Sequence, residues 1–81
     1  MARALCAVIG RSKDCDIRIA DPNVSRRHAE VRPVGDGYTV VDLGSTNGIE
    51  VDGKRVQELE LEDGVRFTLG STEIAFSQES G

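Results

Sequence analysis

The sequence contains few aromatic residues: its 81 residues include one Tyr, two Phe and no Trp. A hydrophobic core must therefore be built mainly from aliphatic side chains. The sequence also lacks an apolar run near the roughly 20 residues that a membrane-spanning helix needs, and its beginning lacks the long apolar stretch of a secretory signal. We therefore expect a soluble, cytoplasmic protein that does not insert directly into a membrane.

Cysteine is scarce as well, since Cys6 and Cys15 are the only two. Neither is accompanied by a second cysteine pair or by histidines at the spacing of a zinc site, so we expect no metal and no cofactor. Reduced thiols are the simpler interpretation in a cytoplasm. A disulfide remains open, because it requires only that the two α-carbons lie within about 7 Å.

The chain is short, and 81 residues are near the lower limit at which one core can be buried. We expect a single domain over residues 1–77, followed by a tail or the start of a linker at 78–81. A cleft lined on all sides by catalytic groups is difficult to build at this size, whereas a site on surface loops leaves the core intact. Length therefore favours a binding module over an enzyme.

The charge is unevenly distributed. The net charge of −4 disfavours general affinity for nucleic acid, yet residues 1–34 carry seven Lys or Arg against four Asp or Glu. Residues 35–81 carry three against ten. A local anion site in the first half is compatible with an acidic remainder that repels polyanions, although an ordinary mixture of solvated charges gives the same counts.

Short segments rich in Val, Ile, Leu and Thr alternate with turns rich in Gly, Asn and Asp, which is typical of an all-β sandwich. Strands begin about 8 to 12 residues apart, which leaves no room for crossover helices, so we expect mainly antiparallel pairing. The predicted strands are 5–9, 16–19, 28–33, 38–43, 49–51, 59–61, 65–69 and 73–76. The predicted core includes Ile9, Ile17, Ile19, Val31, Val40, Leu43, Ile49 and Leu61.

Three polar loop clusters combine groups that bind oxyanions. A sandwich gathers alternate loops at one end, so loops that are distant in sequence can form one site. An arginine there can pair bidentately with phosphate oxygens. Taken singly, each cluster has a simpler explanation: a solvent-exposed arginine, a charged loop end or an Asn-Gly hairpin turn. The clusters are Gly10-Arg11-Ser12, Ser25-Arg26-Arg27-His28 and Gly44-Ser45-Thr46-Asn47-Gly48.

His28 raises the question of a catalytic triad with Ser25 and an aspartate such as Asp42. The sequence has no nucleophile elbow and no other recognisable frame for an oxyanion hole. We therefore expect His28 to hold a neighbouring loop by a hydrogen bond, and we expect no enzymatic activity.

In this order and within this β pattern, the clusters resemble the forkhead-associated (FHA) domain family. The resemblance extends over about residues 5–76 and includes further short motifs at 51–53 and 61–65. It implies an antiparallel β-sandwich of two sheets and about eleven short strands. It also implies apical loops that bind phosphothreonine peptides without performing chemistry.

The resemblance also implies a role for each site residue. The residues implied to bind the phosphate are Arg11, Ser25, Thr46 and, at a more variable position, Arg26. Asn47 matches the residue that hydrogen-bonds the peptide main chain. Asn23 stands near the position that reads the residue three after the phosphothreonine. The residues that shape or brace the loops are Gly10, His28 and Gly48.

The function implied is that of a phosphothreonine-dependent interaction module in serine/threonine kinase signalling, acting as a monomeric part of a longer chain. The implied partners are phosphothreonine proteins, including Ser/Thr kinases, their substrates and cytoplasmic parts of membrane proteins, but not nucleic acid. The alternative is a β-sandwich scaffold that binds partners independently of phosphate. Such a scaffold requires an exposed apolar patch. The alternation of apolar and polar residues along the predicted strands gives little sign of one.

Overall fold

The computed structural model describes residues 6–78, which form nine β-strands. No helix in this part of the chain is long and apolar enough to cross a membrane. The strands are β1 (Ala7–Gly10), β2 (Ile17–Arg18), β3 (Ala29–Val34), β4 (Gly37–Asp42), β5 (Ile49–Val51), β6 (Lys54–Val56), β7 (Glu58–Leu61), β8 (Arg66–Leu69) and β9 (Thr72–Ala75).

The strands form two sheets, one in the order β2-β1-β3-β4-β7 and the other in the order β6-β5-β8-β9. Neighbouring strands are antiparallel, except that the two-residue strand β2 pairs in parallel with β1. The prediction of an all-β, mainly antiparallel structure of two sheets is confirmed.

The predicted strands agree with the observed ones to within two residues at each end, although the predicted start at Leu5 lies outside the described residues. Strand β6 was not predicted, because Lys54 and Arg55 are charged and Val56 is its only apolar residue. Residues 6–78 contain nine strands rather than about eleven. Segments such as 11–16 and 43–48 are turns and bends, and side chains bind part of their backbone. The predicted tail at 78–81 lies almost wholly outside the described residues, so that boundary stays a prediction.

The core lies between the sheets and is mainly aliphatic, as the composition predicts. In β8, Phe67 and Leu69 are buried while Arg66 is exposed, which confirms the predicted alternation. Ile17 was wrongly assigned to the core: it is 47% exposed, because β2 is a short edge strand. The buried core residues are Val8, Ile9, Val24, Ala29, Val40, Ile49, Leu61, Phe67 and Leu69.

The strand register brings four loops to one end of the sandwich. Ile9 and Asp42 both pair with Ala29, so the end of β1, the start of β3 and the end of β4 lie together. Ile49 pairs with Leu69, which places the end of β8 beside the start of β5. Residues 11–16, 19–28, 43–48 and 70–71 therefore emerge at the same end. The predicted convergence of the polar loops follows from this register.

Candidate functional site

An open depression of about 310 Å³ lies between the converging loops. It brings together residues from three segments that are far apart in sequence. Five of the predicted site residues are among those that line it. The lining residues are Arg11, Pro22, Asn23, Val24, Ser25, Thr46 and Asn47.

Arg11 is the first residue after β1, and two hydrogen bonds fix its position. Its backbone N–H donates to the carbonyl of Ser25 at 3.0 Å, and its Nε donates to the carbonyl of Val24 at 3.1 Å. Within residues 6–78, the two terminal guanidinium nitrogens have no hydrogen-bond partner. The side chain is therefore anchored at Nε and retains paired N–H donors for a bidentate anion.

Ser25 connects two of the loops. Its Oγ accepts a hydrogen bond from the backbone N–H of Thr46 at 3.1 Å, which orients the hydroxyl between the two segments. The hydroxyl proton of Ser25 remains available, because a serine can donate one hydrogen bond while it accepts another. The serine is thus suited to donate to an anion in the depression.

His28 is fully buried and hydrogen-bonds two loops at once. Its Nδ1 accepts from the backbone N–H of Ser25 at 3.1 Å, and Nε2 lies 2.7 Å from the carbonyl oxygen of Gly48. Since a nitrogen that accepts a hydrogen bond carries no proton, the ring carries its proton on Nε2 and donates it to Gly48. Both ring nitrogens are therefore used to brace the backbone, and no triad with Asp42 forms.

Asp42 and Ser45 shape the loop at 43–48. One carboxylate oxygen of Asp42 accepts from the backbone N–H groups of Gly44 and Ser45 at 3.1 and 3.2 Å. The hydroxyl of Ser45 donates to the other carboxylate oxygen and accepts from the N–H of Gly48 at 2.8 Å. Sequence analysis did not identify Ser45 as buried. The local signal is Asp42 two residues before Gly44-Ser45, a spacing at which an Asp side chain can cap the turn.

Asn47 and Asn23 link the two sides of the depression. The Nδ2 of Asn47 donates to the backbone carbonyl of Asn23 at 2.7 Å, so the Oδ1 of Asn47 is the group left to accept from a ligand. The Nδ2 of Asn23 in turn donates to the hydroxyl of Ser71 at 2.7 Å.

Asp21 was not predicted from the sequence, and its carboxylate accepts three hydrogen bonds near the site, as many as that of Asp42. Asp21 accepts from the backbone N–H of Asn23 at 2.9 Å, the hydroxyl of Thr72 at 2.8 Å and the backbone N–H of Ser71 at 2.9 Å. These bonds hold the pKa of Asp21 below its ordinary value, with Asn23 contributing most, although desolvation acts in the opposite direction.

Arg26 does not line the depression. Its side chain is exposed, and its backbone carbonyl accepts from the N–H of Ser12 and lies 3.1 Å from the sulfur of Cys15. A Cβ on Gly10 would overlap that carbonyl, which explains the glycine at this position. Cys15 and Cys6 are both free thiols, so the disulfide does not form.

Comparisons with known proteins place these features in a family context. The family model described as FHA domain matches residues 7–70. The chain is 46% identical over 67 residues to the FHA domain-containing protein FhaA of Mycobacterium tuberculosis, covering 83% of this chain and 13% of FhaA. It is 42% identical to the glycogen accumulation regulator GarA of Mycolicibacterium smegmatis, covering 83% of this chain and 42% of GarA. The chain thus spans less than half the length of either relative.

Solved structures of other proteins share the fold of this chain. The FhaA FHA domain, solved in complex with the intracellular domain of Rv3910, has a TM-score of 0.82 and 43% identity, over 93% of this chain and 82% of that one. Mycobacterium tuberculosis EmbR, solved in complex with a low-affinity phosphopeptide, has a TM-score of 0.86 and 34% identity. That match covers 99% of this chain and 21% of EmbR.

Replacing His28 by phenylalanine keeps an aromatic ring, somewhat larger than imidazole, but removes both hydrogen bonds. The part-buried N–H of Ser25 and the buried carbonyl of Gly48 would then have no partner, and each such group costs about 1 to 3 kcal/mol. We expect urea unfolding to show a loss of about 2 to 5 kcal/mol in the free energy of unfolding. Replacing the exposed Arg66 by alanine is the control, with an expected change within about 0.5 kcal/mol. A change as small as the control in the His28 variant would contradict the bracing role.

Asp21 should make stability depend on pH in the acid range. Because its pKa is lower in the folded than in the unfolded chain, its contribution is fully present above the unfolded pKa. That contribution is lost as pH falls through the folded pKa. The stability difference between the wild-type protein and Asp21→Asn should therefore shrink as pH falls from about 6 to about 3. Urea unfolding across that pH range measures the difference in the free energy of unfolding between the two proteins. A difference that does not change with pH would show that the carboxylate charge is unimportant.

Proposed function

The chain belongs to the FHA domain family, and from that premise we propose that it is a phosphothreonine-dependent protein–protein interaction module of serine/threonine kinase signalling. The observation that carries the proposal is the anchoring of Arg11 at Nε, beside Ser25 and Thr46, in an open depression. This arrangement offers charged and neutral donors to an anion that approaches from solvent. The family model over residues 7–70 confirms, at the level of the family, the resemblance drawn from the sequence.

The proposed ligand fits the donors. A phosphothreonine carries about −1.5 to −2 charges near neutral pH and three acceptor oxygens. The terminal nitrogens of Arg11 can pair with two of these oxygens, and the hydroxyls of Ser25 and Thr46 can donate to the phosphate as well. Charge-assisted hydrogen bonds contribute about 1.5 to 3 kcal/mol each, against an association cost of about 4 kcal/mol or more. Four of them at about 3 kcal/mol each, less about 4 kcal/mol, leave about 8 kcal/mol, which is an affinity on the order of micromolar.

Three further residues beside the phosphate donors have roles in this proposal. Asn47 binds the peptide main chain, which is supported by its free Oδ1, because an amide oxygen accepts from a peptide N–H. Asn23 lies beside it and contributes to peptide preference. Arg26 reaches the phosphate from the rim, where its exposed side chain is long enough to approach an anion.

The module binds without catalysis in this proposal. Its support is the use of both nitrogens of His28 by the backbone, which leaves Ser25 without a general base at that ring. A phosphate-independent scaffold is less well supported. Among residues 6–78, the exposed large hydrophobic residues are Ile17 and Val34, and strand β1 separates their strands.

The proposed partners are phosphothreonine-containing proteins, including Ser/Thr kinases, their substrates and cytoplasmic parts of membrane proteins. The relatives support this, since the FhaA FHA domain was solved with an intracellular domain and EmbR with a phosphopeptide. A kinase mark of this kind also implies a cytoplasmic location. The module acts as one part of a longer protein, as the matching segment does in relatives of which it covers less than half.

Arg11→Ala should abolish phosphopeptide binding and leave the fold intact. The substitution removes the paired N–H donors, and a loss of about 3 to 6 kcal/mol corresponds to at least a hundredfold in affinity. Arg11→Lys should recover only part of the affinity, because an ammonium group cannot pair bidentately. Fluorescence titration measures the affinities, with Arg66→Ala as the matched control and circular dichroism as the check of folding. Wild-type affinity in the alanine variant would remove Arg11 from the site.

A series of matched peptides tests the ligand itself. Phosphothreonine should bind best and phosphoserine more weakly, because loss of a methyl contact costs about 1 to 3 kcal/mol. Aspartate and unmodified threonine should bind poorly, since a carboxylate has one charge and two coplanar oxygens. Phosphatase treatment should remove the binding. Equal affinity for phosphothreonine and aspartate would refute the assignment and favour the phosphate-independent scaffold.

A further inference from the structure

The loop at residues 21–25 is the central element of the depression, and it is tied to the turn at residues 70–72. The two segments are about 50 residues apart in sequence, yet Asp21 accepts from the backbone N–H of Ser71 and from the hydroxyl of Thr72. The same carboxylate accepts from the N–H of Asn23. One side chain therefore closes its own loop and attaches it to a turn of the opposite sheet.

The glycine of that turn supports the same contact independently. Gly70 has a φ of +62°, and an added Cβ would lie 2.6 Å from the backbone carbonyl carbon and oxygen of Asn23. Only glycine lets the backbone at position 70 lie this close to the backbone of Asn23. The hydroxyl of Ser71 then accepts from the Nδ2 of Asn23, so the main chain and the side chain of Asn23 are both held by the turn.

The attachment extends to the other wall of the depression. The backbone carbonyl of Asn23 accepts from the Nδ2 of Asn47, and this bond orients the amide of Asn47. Asp21 does not itself line the depression, whereas Asn23 and Asn47 do. A displacement of the loop at Asp21 would therefore move both asparagines. The phosphate donors have further supports: Arg11 is held by Val24 and Ser25 of the same loop, but Val24 is buried in the core and Ser25 is held by His28 and bonded to Thr46.

We propose that Asp21 is a positioning residue for peptide recognition: by fixing residues 21–23 to the turn at 70–72, it places Asn23 and Asn47 against the residues that flank the phosphothreonine. This inference rests on the proposed function. It separates the site into a phosphate part, organised by Arg11 and Ser25, and a peptide part, organised by Asp21. The two parts should respond differently to substitution.

The test compares two ligands on Asp21→Ala. One ligand is N-acetyl-phosphothreonine methylamide, which presents little beyond the phosphate. The other is the strongest phosphothreonine nonapeptide selected from a library on the wild-type protein. We expect the nonapeptide to lose about tenfold in affinity, because the groups that meet its flanking residues are no longer fixed. We expect the small ligand to change by less than about twofold, measured by NMR or calorimetric titration.

Asp63→Ala is the matched control. Asp63 also accepts a backbone hydrogen bond, from the N–H of Gln78 at 2.9 Å, but it follows β7 at the opposite end of the sandwich. This variant should leave both affinities unchanged. Thr72→Val removes one of the three donors to Asp21 and keeps the loop sequence intact, so it should lose nonapeptide affinity by a smaller factor. It also serves as the second variant if Asp21→Ala does not fold.

A structural role alone would lower the stability of the variants without changing the ratio of the two affinities. Equal losses for both ligands, or no loss for either, in Asp21→Ala and Thr72→Val would overturn the proposal. If the wild-type protein bound neither ligand, the proposed function itself would fail, and this inference with it. A selective loss for the nonapeptide, together with weaker discrimination at the third residue after the phosphothreonine, supports the proposal.

Discussion

The arrangement of the binding loops depends on one buried imidazole. His28 stands at the start of β3, where the register brings the ends of β1 and β4 together, and it accepts from one loop and donates to another. Without it, the part-buried N–H of Ser25 and the buried carbonyl of Gly48 would lose their partner, and the loops would depend on the more exposed bonds Ser25–Thr46 and Asn47–Asn23. Because both bonds are made to the backbone, they fix where Ser25 and Gly48 lie whatever side chains surround them.

Other contacts extend from His28 towards the proposed phosphate site. Ser25, held at its backbone by His28, presents its hydroxyl to the N–H of Thr46. Arg11 donates to the carbonyl of Ser25 through its backbone and to that of Val24 through Nε. The donors proposed for the phosphate are thus fixed by bonds within the protein itself, which would reduce the entropy that binding must overcome. In a domain with such a small core, hydrogen bonds between loops supply the order that burial alone cannot.

Much of this structure could be predicted from the sequence. The alternation of apolar and polar residues, as in 65–69, predicted the strands, because a period of two follows from the local geometry of a strand. The short spacing between turns predicted that the strands pair antiparallel. The ordered loop motifs predicted the convergence of Arg11, Ser25 and Asn47. Residues such as Asp21 and Ser45 could not be found, because their importance arises from partners that only the fold brings together. Asp21 bonds to residues 50 and 51 positions away, and no local pattern reports such a contact.

The bond between Asn47 and the carbonyl of Asn23 has a consequence for what the site can accept. One hydrogen of Nδ2 is engaged, which fixes the orientation of the amide and leaves Oδ1 and the second Nδ2 hydrogen for a ligand. In the proposed function this pair suits a peptide main chain, because a residue other than proline carries both an N–H and a carbonyl. Proline lacks the N–H and could meet only the donor of Asn47. A single fixed amide thus disfavours one residue type opposite Oδ1 without any side-chain pocket.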